Sequence, residues 1–157
     1  MSTLQAHRAA IVAALSSVPE IGIVHDRERY ASDNAKFAAL YLYTPTGGKQ
    51  HIRGWWLRRS STAEHSPNVA RTVNVHTWTV RGYMAFADAD ATELVLDDLV
   101  EQFRAVVRAD PTFGGACQPG PLDADADGVQ VTDAGPVNFA GVLCHSVVLQ
   151  LKTWSYL

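Results

Sequence analysis

The stretch KQHIRGWWLRRSSTAEH-SPN-VARTVNVHTWTVRGYMAFA, residues 49–87, contains two long runs rich in β-branched and aromatic residues. A break at Ser66-Pro67-Asn68 separates the runs, and this arrangement is typical of a β-hairpin. Successive side chains of a strand point to opposite faces of the sheet. The second run therefore has two faces, one with Val73, Val75, Thr77 and Thr79 and the other with Asn74, His76, Trp78 and Val80. The stretch predicts a long antiparallel hairpin at the centre of the fold.

Two adjacent tryptophans in the first run predict an interface. As strand residues, Trp55 and Trp56 project from opposite faces, so at most one of them can enter the same core. The other would lie among Arg53, Arg58 and Arg59, and Trp and Arg dominate contacts between proteins. We therefore expect these five residues to form an interface in which one tryptophan faces a partner. The alternative is that a helix of the same chain covers the second face.

Length and composition predict one domain over residues 1–157. No apolar run approaches the roughly 20 residues of a membrane helix, and the N-terminus lacks the apolar segment of a signal peptide, so no membrane partner is expected. Cys117 and Cys144 stand alone without a CxxC pair, which predicts two reduced, buried thiols.

The charge of the chain is unevenly distributed, although the net charge is only −3. Residues 1–81 contain ten Lys or Arg and five Asp or Glu, a net +5. Residues 82–157 contain three Lys or Arg and eleven Asp or Glu, a net −8. A subunit polarised in this way can dock head to tail with copies of itself. The alternative is that the halves interleave in the fold and the polarity averages out.

Three segments outside the hairpin have a helical pattern. The first begins at the Ser2/Gln5 capping box and ends at Ser16-Ser17. The second, residues 33–43, fits either a short helix capped by Asp33 or an extended segment. The third, residues 88–110, has Asp90 and Glu93 as its N-terminal cap. Its apolar stripe consists of Leu96, Leu99, Val100, Phe103, Val106 and Val107, while Asp98 faces away.

Short apolar runs predict the remaining strands. One is residues 21–25, and two others, residues 129–132 and 139–154, flank a turn at residues 133–136. The predicted fold class is α+β, with one mainly antiparallel sheet built from two hairpins and helices packed mainly on one face.

The sequence lacks the common patterns of catalytic and metal sites. The six histidines do not fall at HxxxH or zinc-ligand spacings, and no GxSxG, Walker A or GxGxxG motif is present. Asp123, Asp125, Asp127 and Gly128 match the first half of a calcium loop, but position 12 is Ala134, where a glutamate is required. A solvated acidic turn is therefore favoured, and no metal or cofactor is predicted. Arginines beside tryptophan suit a nucleic-acid platform, but a pI near 6.0 argues against specific nucleic-acid binding.

The strings VHDRERY at 24–30 and IRGWWLRR at 52–59 resemble tailed-phage proteins related to the tail terminator, or tail completion, family. The layout is similar over nearly the whole chain, with an N-terminal helix, a long hairpin, an acidic second helix and a final hairpin. The resemblance implies a non-enzymatic virion protein of the tail or neck, assembled in the host cytoplasm. It would cap the tail tube as a homo-oligomeric ring, commonly a hexamer. Its partners would be the tail tube protein and head–tail connector proteins, and DNA would at most pass through the ring.

Two alternatives stay open. A head–tail connector or neck protein of similar size would have much the same features. A small α+β enzyme acting through Asp123, Asp125 or a histidine would need a concave pocket with perturbed titratable groups.

Overall fold

The computed structural model describes residues 2–120 and 127–157 and contains a mostly antiparallel six-stranded sheet with three helices. The strands follow the order β1-β3-β4-β6-β5, and β2 pairs with β3. Among the described residues, only the β1–β3 pairing is parallel. The elements are α1 (Thr3–Ser16), β1 (Ile23–His25), α2 (Asn34–Ala39), β2 (Leu42–Tyr43), β3 (His51–Asn68), β4 (Arg71–Ala85), α3 (Thr92–Ala109), β5 (Gln130–Phe139) and β6 (Val142–Tyr156).

Strands β3 and β4 form the longest antiparallel pair, from Arg53 opposite Met84 to Asn68 opposite Arg71. The turn between them lies at residues 69–70, just after the predicted break. Pro67 stays within β3 because a register shift between residues 65 and 68 accommodates a residue that cannot donate to the ladder. The Asn68 side chain closes the turn by accepting a hydrogen bond from Ala70 N at 2.9 Å.

Helices α1 and α3 share a core with one face of the sheet. The buried residues of α3 confirm the predicted stripe: Leu96, Leu99, Val100, Phe103 and Val107, with Val106 partly buried beside them. The predicted cap is wrong. The residue before the helix is Ala91, with a left-handed φ of 52°, and it makes no side-chain capping bond because Asp90 belongs to a preceding 3₁₀ turn. Glu93 remains in the first turn, where a negative charge suits the helix dipole.

The other helix starts follow the prediction. Ser2 Oγ accepts a hydrogen bond from Gln5 N at 3.2 Å, and Asp33 Oδ1 accepts one from Lys36 N at 2.8 Å. Residues 33–43 combine both alternatives, because the short helix α2 is followed directly by β2. Within the ranges that the structure covers, no helix is both long and apolar enough to span a membrane.

The end of the chain differs from the prediction at its turn. Residues 133–136 lie inside β5, which is continuous, and the turn is Ala140-Gly141, with φ values of 52° and 79°. Two successive residues with positive φ are typical of a two-residue turn between antiparallel strands. Pro136 is tolerated within β5 because β5 is the outermost strand of the sheet.

Both cysteines are free and buried, as predicted. Burial raises the pKa of the Cys117 thiol and of the Cys144 thiol to about 11. Both side chains are therefore neutral at physiological pH and pack as small apolar groups.

Two neighbouring histidines lie between α1 and the sheet, His7 on α1 and His76 on β4. His7 is fully buried, its Nδ1 lies 2.8 Å from Thr153 Oγ1, and its Nε2 has no hydrogen-bond partner among the described residues. His76 is 5% exposed, and the two rings lie 5.5 Å apart. Burial lowers the pKa of both side chains, and the proximity of His76 lowers the pKa of His7 further. The folded chain therefore favours the uncharged form of both rings.

This pair predicts a loss of stability in acid. Because the folded-state pKa values lie below the ordinary 6.5, the unfolded chain binds more protons, and the free energy of unfolding should fall as the pH drops through 6.5. The His7→Asn variant should lose less stability between pH 8 and pH 5 than the parent. The exposed His65→Asn change is the control, and urea melts across this pH range measure the effect. An unchanged pH slope in His7→Asn would contradict the prediction.

The packing of α3 gives a second prediction. Phe103 is fully buried between α3 and the sheet, so Phe103→Ala should lower the free energy of unfolding by about 3–5 kcal/mol through the cavity it leaves. Asp98 is exposed on the same helix, so Asp98→Ala should be nearly neutral. Urea denaturation of both variants measures the difference, and the opposite ranking would mean that the assigned faces of α3 are wrong.

Candidate functional site

Trp55 lies inside the core that α1 and α3 cover. Its side chain is 1% exposed, and its Nε1 donates a hydrogen bond to the Ile21 carbonyl oxygen at 2.8 Å. The indole ring lies against Gly82 on the neighbouring strand, where any Cβ would come closer than 3.0 Å to it. Trp55 is therefore the inward tryptophan of the pair.

Trp56 lies on the opposite face, as strand alternation requires, but it is only 5% exposed. The expectation that one tryptophan is left open to a partner is therefore wrong for the isolated chain. The same chain covers this face, because α2 brings Phe37 onto it and residues from distant parts of the sequence complete the layer. The buried members of this second cluster are Tyr41, Ile52, Trp56, Tyr83, Phe139 and Cys144.

Arg53 also lies inside the fold. It is 8% exposed and donates from Nη1 to the Glu20 carbonyl oxygen at 3.0 Å and from Nε to His51 Nε2 at 3.2 Å. Burial lowers the pKa of its guanidinium, against the opposing effects of Tyr43 and Glu20. Arg53 therefore fixes the loop around Glu20, and it cannot contribute to an exposed rim in the isolated chain.

Arg58 and Arg59 are exposed, as an interface requires. The Arg58 guanidinium lies 5.2 Å from the centre of the Trp56 ring and forms an ion pair with Glu28. Arg59 Nη1 donates to Thr62 Oγ1 at 3.2 Å and has no carboxylate partner among the described residues. Of the five residues predicted to form an interface, Arg58 and Arg59 are therefore the two that can contact a partner without rearrangement.

Arg58 begins a segment that we call the arm, residues 58–71 of the β3–β4 pair, in which every residue is exposed. β1 pairs with β3 only at residues 54–56, so the described part of the chain leaves the outer edge of the arm uncovered. The arm carries Arg58, Arg59 and Arg71 against the single acidic residue Glu64. It is therefore a basic, exposed strand and turn at the edge of the sheet, and only its tip, residues 66–71, extends past the last β4–β6 pair.

The basic surface continues from the arm onto the sheet. The register places Arg58 opposite Thr79, and Thr79 opposite Gln150, on the same face as Trp56. Arg81 lies on this face as well, where its Nε donates to Ser146 Oγ at 3.3 Å. This polar region lies beyond the aromatic cluster that α2 covers.

A cleft of about 600 Å³ lies between α3 and β5. Glu93, Asp97 and Glu101 line it from α3, and Leu96 and Val100 contribute apolar surface below them. Sequence patterns do not indicate this cleft, because its two walls come from a helix and a strand that are 30 or more residues apart in the chain.

His145 lies at one end of the same cleft. Its Nε2 is 2.7 Å from Thr92 Oγ1, and burial lowers its pKa despite the opposing charges of Glu93 and Asp97. The basic arm and the acidic cleft are thus formed by different elements. The positive charges of the first half of the sequence and the negative charges of the second half thus contribute to two distinct surfaces, the arm and the cleft. This is so although β4 and β6 are neighbours in the sheet.

The acidic calcium-like motif is mostly outside the described residues, which include Asp127 and Gly128 but not Asp123 or Asp125. The Asp127 carbonyl oxygen accepts a hydrogen bond from Gln130 Nε2 at 2.8 Å. Within residues 2–120 and 127–157, no three His, Cys, Asp or Glu side chains converge as metal ligands would.

A scan against protein-family models and a search of curated proteins find no match to this chain.

The burial of both tryptophans predicts that neither can be removed without loss of stability. Trp55→Ala and Trp56→Ala should each lower the free energy of unfolding by about 3–5 kcal/mol, and Trp55→Ala also leaves the Ile21 carbonyl oxygen without its donor. Arg59→Ala is the control on the same strand and should be nearly neutral. Urea melts measure all three. A Trp56→Ala variant as stable as the parent would show that the second cluster contributes little.

Proposed function

We propose that this chain is a non-enzymatic structural protein of a phage virion, which caps the tail tube as a homo-oligomeric ring and joins the tail to the head. The arm carries the proposal, because a fully exposed, arginine-bearing strand and turn is suited to contact another protein. Residues 24–30 and 52–59 resemble tail terminator proteins. This resemblance implies that the ring is a tail terminator and that it is commonly a hexamer.

The distribution of charge supports a ring of identical subunits. A basic arm and an acidic cleft on different elements favour contacts between unlike surfaces of neighbouring copies, and such heterologous contacts generate rings when the rotation closes. In this proposal the sheet is a scaffold built from two hairpins with helices mainly on one face, and it holds the arm away from the acidic helix.

The proposed partners are the tail tube protein on one side of the ring and head–tail connector proteins on the other. DNA would pass through the ring without sequence-specific contacts. The ring would belong to the tail and neck of the virion and would assemble in the host cytoplasm. A head–tail connector role is the second candidate. A terminator limits the length of tail tubes assembled in its presence, whereas a connector binds finished ends without affecting tube length, so electron microscopy of the tubes distinguishes the two.

Assembly should depend on the arm and on salt. At low salt and high concentration, light scattering should detect higher-order species, alone or with tail tube ends, and these should dissociate as salt screens the exposed charges. The double variant Arg58→Ala/Arg59→Ala should weaken assembly by about 2 kcal/mol or more, the scale of an interface hot spot, while keeping most of its thermal stability.

Arg27→Ala is the control for this prediction, because Arg27 is exposed and lies outside the arm. It should assemble like the parent. A chain that remains strictly monomeric at every salt concentration, both alone and with tube ends, would overturn the proposed function.

A further inference from the structure

The cleft between α3 and β5 has the composition of a protein-binding groove. Two large apolar side chains at this cleft, Phe86 and Val131, are 38% and 47% exposed, and Leu96, Val100 and Val147 extend the apolar surface inward. Exposed apolar side chains that line a concave surface are typical of sites that bind another molecule. The cleft therefore favours an occupant with apolar surface of its own.

Carboxylates at this cleft restrict the charge of the occupant. Glu93, Asp97 and Glu101 recur every four residues along one side of α3. Glu101 is paired with Arg104 at 2.9 Å, whereas Glu93 and Asp97 form no ion pair within the described ranges. Nucleic acid and anionic membrane would be repelled by these groups. Arg and Lys side chains fit, because their alkyl stems can lie on apolar surface while their charged ends reach the carboxylates.

We propose that the arm of a second copy of this chain docks in this cleft, an inference that rests on the ring assembly proposed above. At the tip of the arm, residues 66–71, Arg71 has no carboxylate partner among the described residues and Val69 is fully exposed. Residues 58–65 lie beside the part of β4 that pairs with β6, whereas the tip extends past the last β4–β6 pair, Val73 with Tyr156, and can reach a neighbouring subunit. The arm cannot fill the cleft of its own chain, since all of its residues are exposed.

The docking uses side chains rather than an extension of the sheet. β5 is the edge strand beside the cleft, but it contains Pro136 and a register shift between Val131 and Asp133. A proline and an irregular register interrupt the row of backbone groups that an added strand would need. The contact therefore depends on Arg71 of the arm and the carboxylates of α3, and it should respond to exchange of their charges.

An exchange of charges between the two surfaces tests this proposal. The arm variant is Arg71→Glu, the cleft variant is Glu93→Lys/Asp97→Lys, and the combined variant carries all three changes. Each of the first two should weaken self-association at least roughly tenfold, because like charges would face each other. The combined variant restores opposite charges and should return to within roughly threefold of the parent. Sedimentation velocity at low salt measures the association.

Two further variants serve as a charge control and as a neutral replacement for the cleft variant. Asp90→Lys/Asp98→Lys makes the same change in charge at exposed residues that do not line the cleft, and it should alter association less than roughly twofold. If the cleft variant fails to fold in thermal melts, Glu93→Gln/Asp97→Asn replaces it and should weaken association roughly threefold.

Each outcome distinguishes this inference from the proposed function. A parent chain that associates equally well with the cleft variant or its neutral replacement would overturn the docking site and leave the ring intact. The same holds if the combined variant remains as weak as the arm and cleft variants. A parent chain that never associates, even with tube ends, would overturn both proposals.

Discussion

The structure depends on one constraint, the burial of two adjacent tryptophans on opposite faces of a single strand. A strand sends consecutive side chains to opposite faces, so both faces of the sheet must be covered at residues 55 and 56. Helices α1 and α3 cover Trp55, and α2 with its aromatic neighbours covers Trp56. Other elements of the chain therefore cover both faces of the central part of β3, whereas the side chains of the arm are exposed.

The sequence was sufficient for features that depend on local pattern. The caps at Ser2 and Asp33, the apolar stripe of α3 and the length of the central strands all follow from spacing and residue type. The turn of the last two strands was assigned wrongly because Asp133–Pro136 has the composition of a turn, yet an edge strand tolerates proline and the true turn needs only Ala140-Gly141. Local composition cannot tell an edge strand from a loop.

The candidate surfaces were less predictable because they depend on long-range contacts. Phe37, Tyr41 and Phe139 share a cluster with Trp56, and nothing in the sequence indicates that Phe139 meets two residues about 100 positions earlier. Arg53 differs from Arg58 by its contact with the Glu20 carbonyl oxygen, which lies 33 residues earlier in the chain. The sequence could name arginines and tryptophans as the important residue types, but only the packing decides which of them reach solvent.

The glycines that accept the aromatic rings have a consequence for how this chain can diverge. Gly82 lies opposite Trp55, and Gly54 faces Tyr41, and at both positions a side chain would overlap the ring. A larger residue at position 82 is tolerable only with a smaller one at 55, so the two positions are constrained to vary as a pair. The arm has no such coupling and can change its sequence one residue at a time. Evolution can therefore remodel the exposed arm rapidly while the centre of the sheet remains almost fixed.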